Sequence, residues 1–257
     1  MQRAPMVNPV GLLGGMLSAT ESRVNPRVAS AQISAWLQAE KDVTCCFNTT
    51  VTEIDGREVH ASDGRSWSAD RIIICGGSDL QTLYPDTLQN AGLKLCKLQM
   101  LKAVQARNEA LQPHIASGLT LRHYSSFACC PSLAGLKQRV ASETPELDHF
   151  GIHVMASPFR SGEILLGDSH EYDADISPFD KAEIDELMLR ELRKIIRLND
   201  WTIYERWHGI YAKHPELPVV EQEVKPGVYA ITGTGGSGMT MSFGLAERTW
   251  KRWMGEN

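Results

Sequence analysis

Apolar residues alternate with polar ones, or form short continuous runs, along much of this chain, and these patterns predict strands. Residues 227–231 alternate and carry β-branched side chains, as a strand does. Residues 50–54 and 58–61 flank an Asp55-Gly56 turn signal, which predicts a β-hairpin that continues as a meander at Asp63-Gly64. Residues 69–77 contain the unbroken apolar run 72–75 and end at Gly76 and Gly77, which predicts a strand in a sheet covered on both faces.

The middle of the chain contains several further strand patterns. They cover residues 95–104, 119–124, 150–157, 164–168 and 202–212, and a shorter one precedes the hairpin at residues 43–47. The patterns between residues 79 and 214 together predict a large antiparallel sheet.

Helical periodicity occurs in three places. Asn25 can cap and Pro26 can begin a helix that runs through residue 40 with one apolar face. Residues 177–180 resemble a capping box, and the following residues to 198 place apolar side chains on one face and charges on the other. Residues 242–253 predict a C-terminal helix.

Length, composition and charge restrict the class of protein. A chain of 257 residues can form one large domain or two small ones, and its 42% apolar and 22% charged residues are ordinary for a globular protein. The net charge of −5 provides no basic field for nucleic acid. No apolar run approaches ~20 residues, and we interpret the weakly signal-like residues 10–19 as an irregular internal segment. We therefore expect a cytoplasmic protein without nucleic-acid or membrane partners.

The six cysteines form two adjacent pairs and two single positions. This arrangement matches neither zinc-ligand spacings nor a secreted disulfide framework. We predict reduced, mostly buried thiols and no metal site.

A glycine-rich loop, residues 232–240, lies between the predicted strand 227–231 and the C-terminal helix. A strand–loop–helix turn of this kind presents unpaired backbone N–H groups to an anionic or electron-rich ligand. An ordinary dinucleotide fingerprint would need a second strand afterwards, and too few residues follow Thr240 for one. A tight turn without any ligand is the alternative interpretation.

The segment 228–247, from Val-Tyr-Ala-Ile through Gly-Leu-Ala-Glu, resembles the C-terminal flavin-contacting segment of the D-amino-acid oxidase family of FAD-dependent oxidoreductases, which includes glycine and sarcosine oxidases. The resemblance implies FAD as the cofactor. The loop residues that it places at the flavin are Gly233, Gly235, Gly236, Ser237, Gly238, Met239 and Thr240.

The order of helix, meander and strand that ends at Cys75-Gly76-Gly77 resembles the central part of the family's FAD-binding domain. It implies that the backbone of Val51 contacts the adenine side and that Gly76 and Gly77 lie near the pyrophosphate, although a plain strand-end turn is the alternative. The implied fold is α/β plus α+β. A partial Rossmann-like FAD-binding domain, residues 1–78 and 215–257, carries an inserted antiparallel-sheet substrate domain, residues 79–214.

Family members begin with a strand, Gly-x-Gly-x-x-Gly and a helix, and residues 1–60 lack this motif. We therefore expect the sequence to be truncated at its N-terminus. Whether it binds FAD unaided stays open, because the pyrophosphate would lose its main helix N-terminus. A non-catalytic scaffold without flavin is one alternative function.

Amino-acid-oxidising relatives clamp the substrate carboxylate with an arginine in a Trp-x-Gly-x-Arg-Pro segment. Here Tyr211 replaces the arginine and Ala212 the proline, which implies a substrate other than a plain α-amino carboxylate. Residues 95–101, 119–127, 167–172 and 205–212 resemble a family subgroup associated with organophosphonate breakdown. The implied substrate is a small, aminophosphonate-like amine.

A phosphonate dianion requires several hydrogen-bond donors and positive charge. The candidate catalytic residues are Tyr211, Arg122, Tyr124 and His170, with His123, Tyr172 and Lys213 as further donors. Each has a purely structural alternative, such as a surface strand position for Arg122 or a structural hydrogen bond for His170. The other enzymatic interpretation is a D-amino-acid or glycine oxidase that uses Arg122 or Arg206 as its clamp. Tyr211 should point towards residues 236–239, and strand 228–231 should lie near strand 71–75.

Overall fold

The computed structural model of the protein describes residues 3–106 and 112–255, and it combines helices with three β-sheets. The helices are α1 (Pro26–Glu40), α2 (Pro85–Asn90), α3 (Leu133–Glu143), α4 (Pro145–His149), α5 (Ala182–Ile195) and α6 (Gly238–Met254). None of the helices in the described ranges combines the length and the hydropathy that a membrane crossing requires.

Within residues 3–106 and 112–255, twelve strands form the sheets. They are β1 (Val51–Asp55), β2 (Glu58–Ala61), β3 (Ser66–Ser68), β4 (Ile72–Ile74), β5 (Lys94–Val104), β6 (Ile115–Ala116), β7 (Met155–Pro158), β8 (Glu163–Gly167), β9 (Glu171–Asp173), β10 (Ile203–Lys213), β11 (Val220–Lys225) and β12 (Val228–Thr232).

The largest sheet is antiparallel and has the strand order β10-β5-β8-β7-β6, with β9 paired to β5 beyond the end of β8. One face of it packs on α5 through fully buried side chains such as Leu101, Leu166 and Met188. Met6 and Val7 near the N-terminus also pack against this core, and Asn8 N–H donates to the carbonyl of Ile195. The predicted antiparallel sheet is therefore confirmed.

A smaller sheet joins sequence-distant parts of the chain. Strand β12 pairs in parallel with β4, with Val228 opposite Ile72, and in antiparallel fashion with β11. The predicted proximity of these two strands is confirmed. The meander β1-β2-β3 packs beside this sheet, since Ile54 shares a buried cluster with Ile72 and Val228.

Four local predictions of secondary structure and burial are wrong. Residues 43–47 form no strand and lie between Asp42 and Asn48, which both have positive φ and turn the chain. Residues 119–124 form 3-10 turns instead of a strand, because Thr120 and His123 donate to carbonyls three residues earlier. The run 150–157 is extended only from residue 155, since residues 150 and 151 still bond back to α4. Strand β4 is not covered on both faces, as Ile73 is 44% exposed.

The capping-box prediction for α5 is also wrong. The helix begins after Lys181, whose side chain makes no capping bond; instead its backbone N–H donates to the side chain of Gln99. By contrast, Asn25 caps α1 as predicted and Pro26 is its first residue. The cysteines are free thiols, but the prediction that most are buried is wrong: Cys96 is buried, whereas Cys46, Cys75, Cys129 and Cys130 are exposed.

Candidate functional site

The glycine loop between β12 and α6 has a backbone that requires glycine. Gly233 and Gly235 have φ values of +78° and +59°, a region that side-chain-bearing residues rarely occupy. A β-carbon on Gly233 would also lie 2.6 Å from Leu93 Cδ2. The loop can therefore turn into α6 only because these positions lack side chains.

The N-terminus of α6 can offer backbone N–H donors to a ligand. Its capping residue is Ser237, and within the described part of the chain no side chain caps this helix. The first backbone N–H groups of a helix have no partner inside the helix, so they remain available to an electron-rich ligand. Gly238, Met239 and Thr240 occupy this first turn, whereas the N–H of Ser237 before it already donates to the Thr234 carbonyl at 3.3 Å.

A second glycine segment lies against the first. Gly76 and Gly77 follow β4, and the Thr232 hydroxyl at the end of β12 donates to the Gly77 carbonyl at 2.9 Å. The carboxyl ends of two neighbouring parallel strands thus carry the two glycine segments, and this edge of a parallel sheet is where open α/β folds bind ligands. Val51 begins β1 and packs against the buried cluster below this edge.

Tyr211 lies against the glycine loop. Its ring carbons are 3.7 Å from the β-carbon positions of Gly235 and Gly236, and the Lys213 side chain approaches Gly235 at 3.4 Å. Both residues project from the same face of β10, because side chains two positions apart share a face of a strand. Lys213 also forms an antiparallel bridge with Thr234.

The side chains of Tyr211, Cys96 and Tyr172 lie side by side on three neighbouring strands of the large sheet. Cys96 on β5 lies opposite both Tyr211 on β10 and Tyr172 on β9. Burial, followed by the interactions with Cys96, raises the pKa of Tyr211 far above its ordinary value, and burial raises the pKa of Tyr172 to about 12. Both phenols therefore remain protonated and able to donate hydrogen bonds.

Three histidines, His123, His153 and His170, form a cluster next to Tyr211 and Tyr172. The rings of His153 and His170 stack with centroids 4.7 Å apart, and the ring of His123 lies 3.9 Å from that of His153 and 4.4 Å from that of His170. The His170 ring lies 6.3 Å from the Tyr211 ring. Burial, followed by like-charge repulsion among neighbours, lowers the pKa of all three imidazoles, to about 4 for His123 and about 3 for His170.

Asp168 completes this cluster. Its carboxylate oxygens lie 3.8 Å from His153 Nε2 and 3.9 Å from His170 Nε2. Burial raises the pKa of Asp168 to about 7, against the effect of its backbone hydrogen bond. Asp168, His153 and Cys96 are not among the candidate site residues that the sequence analysis names. Since the three histidines are far apart in the chain, no short motif could have revealed the cluster.

The candidate arginines are engaged elsewhere. Arg122 forms an ion pair with Asp148 and donates to the Ile152 carbonyl at 3.0 Å. Arg206 pairs with Asp185 at 3.0 Å on the opposite face of β10 from Tyr211. Tyr124 is 40% exposed and meets the His123 ring edge-on at a centroid distance of 5.3 Å.

These features fit one end of a flavin. The first turn of α6 has no side-chain cap, and of the residues that the structure describes a β-carbon on Gly236 would meet only Tyr211, so the adjacent space is open to a flat ligand. Gly76 and Gly77 follow the neighbouring strand, where a phosphate-bearing extension of the ligand could continue.

Several solved structures share the fold. Glycine oxidase from Geobacillus kaustophilus superposes with a TM-score of 0.51 at 14% identity, covering 76% of this chain and 45% of that protein. Iminodiacetate oxidase from Chelativorans sp. BNC1 gives 0.51 at 19% identity, covering 81% and 49%. L-proline dehydrogenase from P. horikoshii gives 0.52 at 15% identity, covering 76% and 46%. The chain thus spans about half the length of these proteins.

Among proteins with curated functions, none matches the sequence at a significant level. The sequence model of the DAO family, described as FAD dependent oxidoreductase, matches residues 1–252, which is nearly the whole chain. The protein therefore belongs to the DAO family of FAD-dependent oxidoreductases.

Proposed function

We propose that this chain is part of an FAD-dependent oxidoreductase that oxidises a small amine carrying a phosphonate-like anion. The observation that carries the proposal is the position of Tyr211 and Lys213 against the glycine loop. In amino-acid-oxidising relatives the corresponding segment provides an arginine, whereas here a phenol and an ammonium group take its place.

The cofactor would be held by both glycine segments. Residues 233–240 would contact the flavin ring through backbone N–H groups, Gly76 and Gly77 would lie towards the pyrophosphate, and Val51 would lie towards the adenine. When bound, FAD supplies a hydride acceptor for amine oxidation. The protein then has to bind and orient the amine beside the loop and keep water away from it.

The anion would be held by side chains of the large sheet. Tyr211 can donate one hydrogen bond to a phosphonate oxygen. The Lys213 ammonium lies 5.6 Å from the centre of the Tyr172 ring and can supply the positive charge. The His170 ring lies 6.3 Å from the Tyr211 ring, so we assign it a supporting position beside the anion site. Arg122 would have to leave Asp148 to take part, so we assign it and the adjacent Tyr124 supporting positions.

The sheet topology also supports a proposed division into two domains. Residues 1–78 and 215–257 would form the FAD-binding part, and residues 79–214 the substrate part. The parallel pairing of β4 with β12 supports the first unit and the large antiparallel sheet supports the second, although Met6 and Val7 of the first unit pack against the core of that sheet.

A D-amino-acid or glycine oxidase with a substitute arginine clamp is the competing function. The ion pairs of Arg122 and Arg206 with Asp148 and Asp185 argue against either as the clamp. A scaffold that holds no flavin is the non-enzymatic alternative.

The test is a comparison of steady-state rates with FAD supplied. We expect 2-aminoethylphosphonate and its N-methyl derivative to be oxidised faster than glycine, sarcosine or D-alanine. Turnover confined to the amino carboxylates would contradict the phosphonate assignment. A full chain that neither binds FAD nor oxidises any of these amines would instead support the scaffold.

A further inference from the structure

The buried histidine cluster has a chemistry that flavin-dependent amine oxidation does not require. We propose that His123, His153, His170 and Asp168 bind a divalent transition-metal ion, with Zn²⁺ as the best fit. This inference does not depend on the substrate proposed above.

The ligand atoms are already close together. One ring nitrogen of each histidine lies within 4.8 Å of the corresponding atoms of the other two. The Asp168 oxygens lie 3.8 Å from His153 Nε2 and 3.9 Å from His170 Nε2. Tetrahedral zinc with bonds of about 2.0 Å holds its ligands roughly 3.3 Å apart, so the Asp168 pairs must close by about 0.5 Å and the histidine pairs by at most about 1.5 Å.

Unpartnered buried atoms point to a missing ligand. His153 is 2% exposed, and among the described residues neither of its ring nitrogens has a hydrogen-bond partner. Asp168 Oδ1 has none either, within the same ranges. A buried polar atom without a partner costs about 1–3 kcal/mol, and native proteins avoid this unless a water, an ion or a function explains it. A cation between His153 Nε2 and Asp168 Oδ1 would give both of these atoms a partner.

The tautomer of His170 suits a metal ligand. Its Nδ1 lies 3.0 Å from the Gly151 carbonyl, and since a carbonyl only accepts, Nδ1 must carry the hydrogen. Nε2 then presents its lone pair towards Asp168. Metal-binding histidines are commonly oriented in this way, by a backbone carbonyl on the second ring nitrogen.

The backbone holds the ligands together. His153 and Asp168 exchange backbone hydrogen bonds of 3.3 and 3.4 Å, which fixes their side chains next to each other. Gly151 has φ +54°, and a β-carbon there would lie 2.8 Å from His170, so this close approach depends on glycine. The site is therefore built from a stiff region, as tight metal binding needs.

The ligand set also selects the metal. Three imidazoles and one carboxylate match the nitrogen and oxygen ligands of Zn²⁺ and its first-row neighbours. Mg²⁺ and Ca²⁺ prefer shells made of oxygen atoms, which this cluster cannot provide. A bound cation would also add positive charge near Tyr211. The value of that charge for substrate binding rests on the proposed function, whereas the binding of the metal does not.

The test is a Zn²⁺ titration of the metal-stripped full chain by calorimetry, repeated with Co²⁺ while visible absorption is recorded. We expect one ion per chain and a tetrahedral Co²⁺ spectrum. His123→Gln and His153→Ala should each weaken binding at least tenfold, whereas His60→Gln, on a different sheet, should not. His123 is only partly buried, so its variant should fold even if the His153 variant does not.

Two controls separate the site from adventitious binding. Cys129→Ser with Cys130→Ser removes an exposed thiol pair and should leave the affinity unchanged. Zn²⁺ should raise the thermal midpoint of the native chain but not that of His123→Gln. The proposal is overturned if the native chain binds no stoichiometric ion, if the histidine variants bind as tightly as the native chain, or if binding disappears with the cysteines.

Discussion

The ring of Tyr211 lies 3.7 Å from the point where a side chain on Gly236 would begin. Tyr211 lies on β10 of the large sheet and Gly236 in the turn that follows β12, so their contact brings β10 against the start of α6. A flat ligand on the glycine loop would therefore have a phenol at its edge. This relationship links the expected cofactor position to the expected substrate position.

Replacing Tyr211 by Phe should weaken substrate binding by roughly 0.5–2 kcal/mol, since one hydrogen bond to a charged acceptor is lost. That corresponds to a KM about 2- to 30-fold higher in steady-state measurements. Tyr204→Phe on the exposed face of the same strand is the matched control. Tyr211→Arg should shift preference towards amino carboxylates, and unchanged kinetics for Tyr211→Phe would remove this residue from the site.

Replacing Lys213 by Met should remove the positive charge beside Tyr211. A hydrogen bond to a charged group contributes about 1.5–3 kcal/mol, so KM for an aminophosphonate should rise roughly tenfold to a hundredfold. The control is Lys251→Met, which removes an exposed lysine that pairs with Glu247 on α6. If both lysine variants have the same KM, the anion is not held by Lys213.

Replacing Gly233 by Ala should lower the free energy of unfolding by about 1–3 kcal/mol, because the residue has positive φ and its β-carbon would collide with Leu93. Gly244 lies inside α6 with open space around it, so Gly244→Ala should instead stabilise the protein by about 0.5–1 kcal/mol. Urea denaturation of both variants measures these effects. Equal stability of the two would show that the loop is not constrained in this way.

Asp180 should make stability depend on pH. Burial alone would raise the pKa of Asp180, but its bonds with Lys97 and His208 lower it on balance. A carboxyl whose pKa is lower in the folded state stabilises the protein above about pH 4, and this contribution is lost as the pH falls through the lowered pKa. Lys97 is 2% exposed, so its ammonium depends on this carboxylate.

The measurement is the free energy of unfolding of native protein and Asp180→Asn from pH 7 to pH 3. The native protein should be more stable at pH 7, and the difference should shrink below about pH 4. The neighbouring pair of Arg206 with Asp185 is unchanged by this substitution, and Asp175→Asn in an exposed loop is the control. A pH-independent difference would contradict the role of the ion pair.

Sequence patterns correctly predicted the elements whose structure depends mainly on residues close together in the chain. The hairpin of β1 and β2 follows from alternation and the Asp55-Gly56 turn, and α1 follows from Asn25 and Pro26. Residues 119–124 have a strand-like composition, yet they lie outside the sheet, and short-range turn bonds determine their conformation. A high strand propensity is thus not enough to form a strand where no neighbouring strand pairs with the segment.

The candidate site was predictable only in part for the same reason. The glycine loop and Tyr211 each belong to one continuous segment, so a local pattern or a family resemblance can point to them. The histidine cluster depends on a turn, on the segment between α4 and β7 and on the segment between β8 and β9, which only the folded chain brings together. The tight pairing of Arg122 with Asp148 likewise depends on tertiary contacts that the sequence pattern does not contain.

The central claim is that the glycine loop holds a flavin next to Tyr211, and an FAD titration of the full chain, followed by quenching of flavin fluorescence, tests it most directly. We expect saturable binding to the native chain. For Gly236→Val we expect binding at least about fivefold weaker, since added side-chain bulk in a packed contact costs roughly 1–3 kcal/mol, while Gly244→Ala should bind normally. Absence of saturable binding by the native chain, or equal affinity for the correctly folded Gly236→Val variant, would contradict the claim.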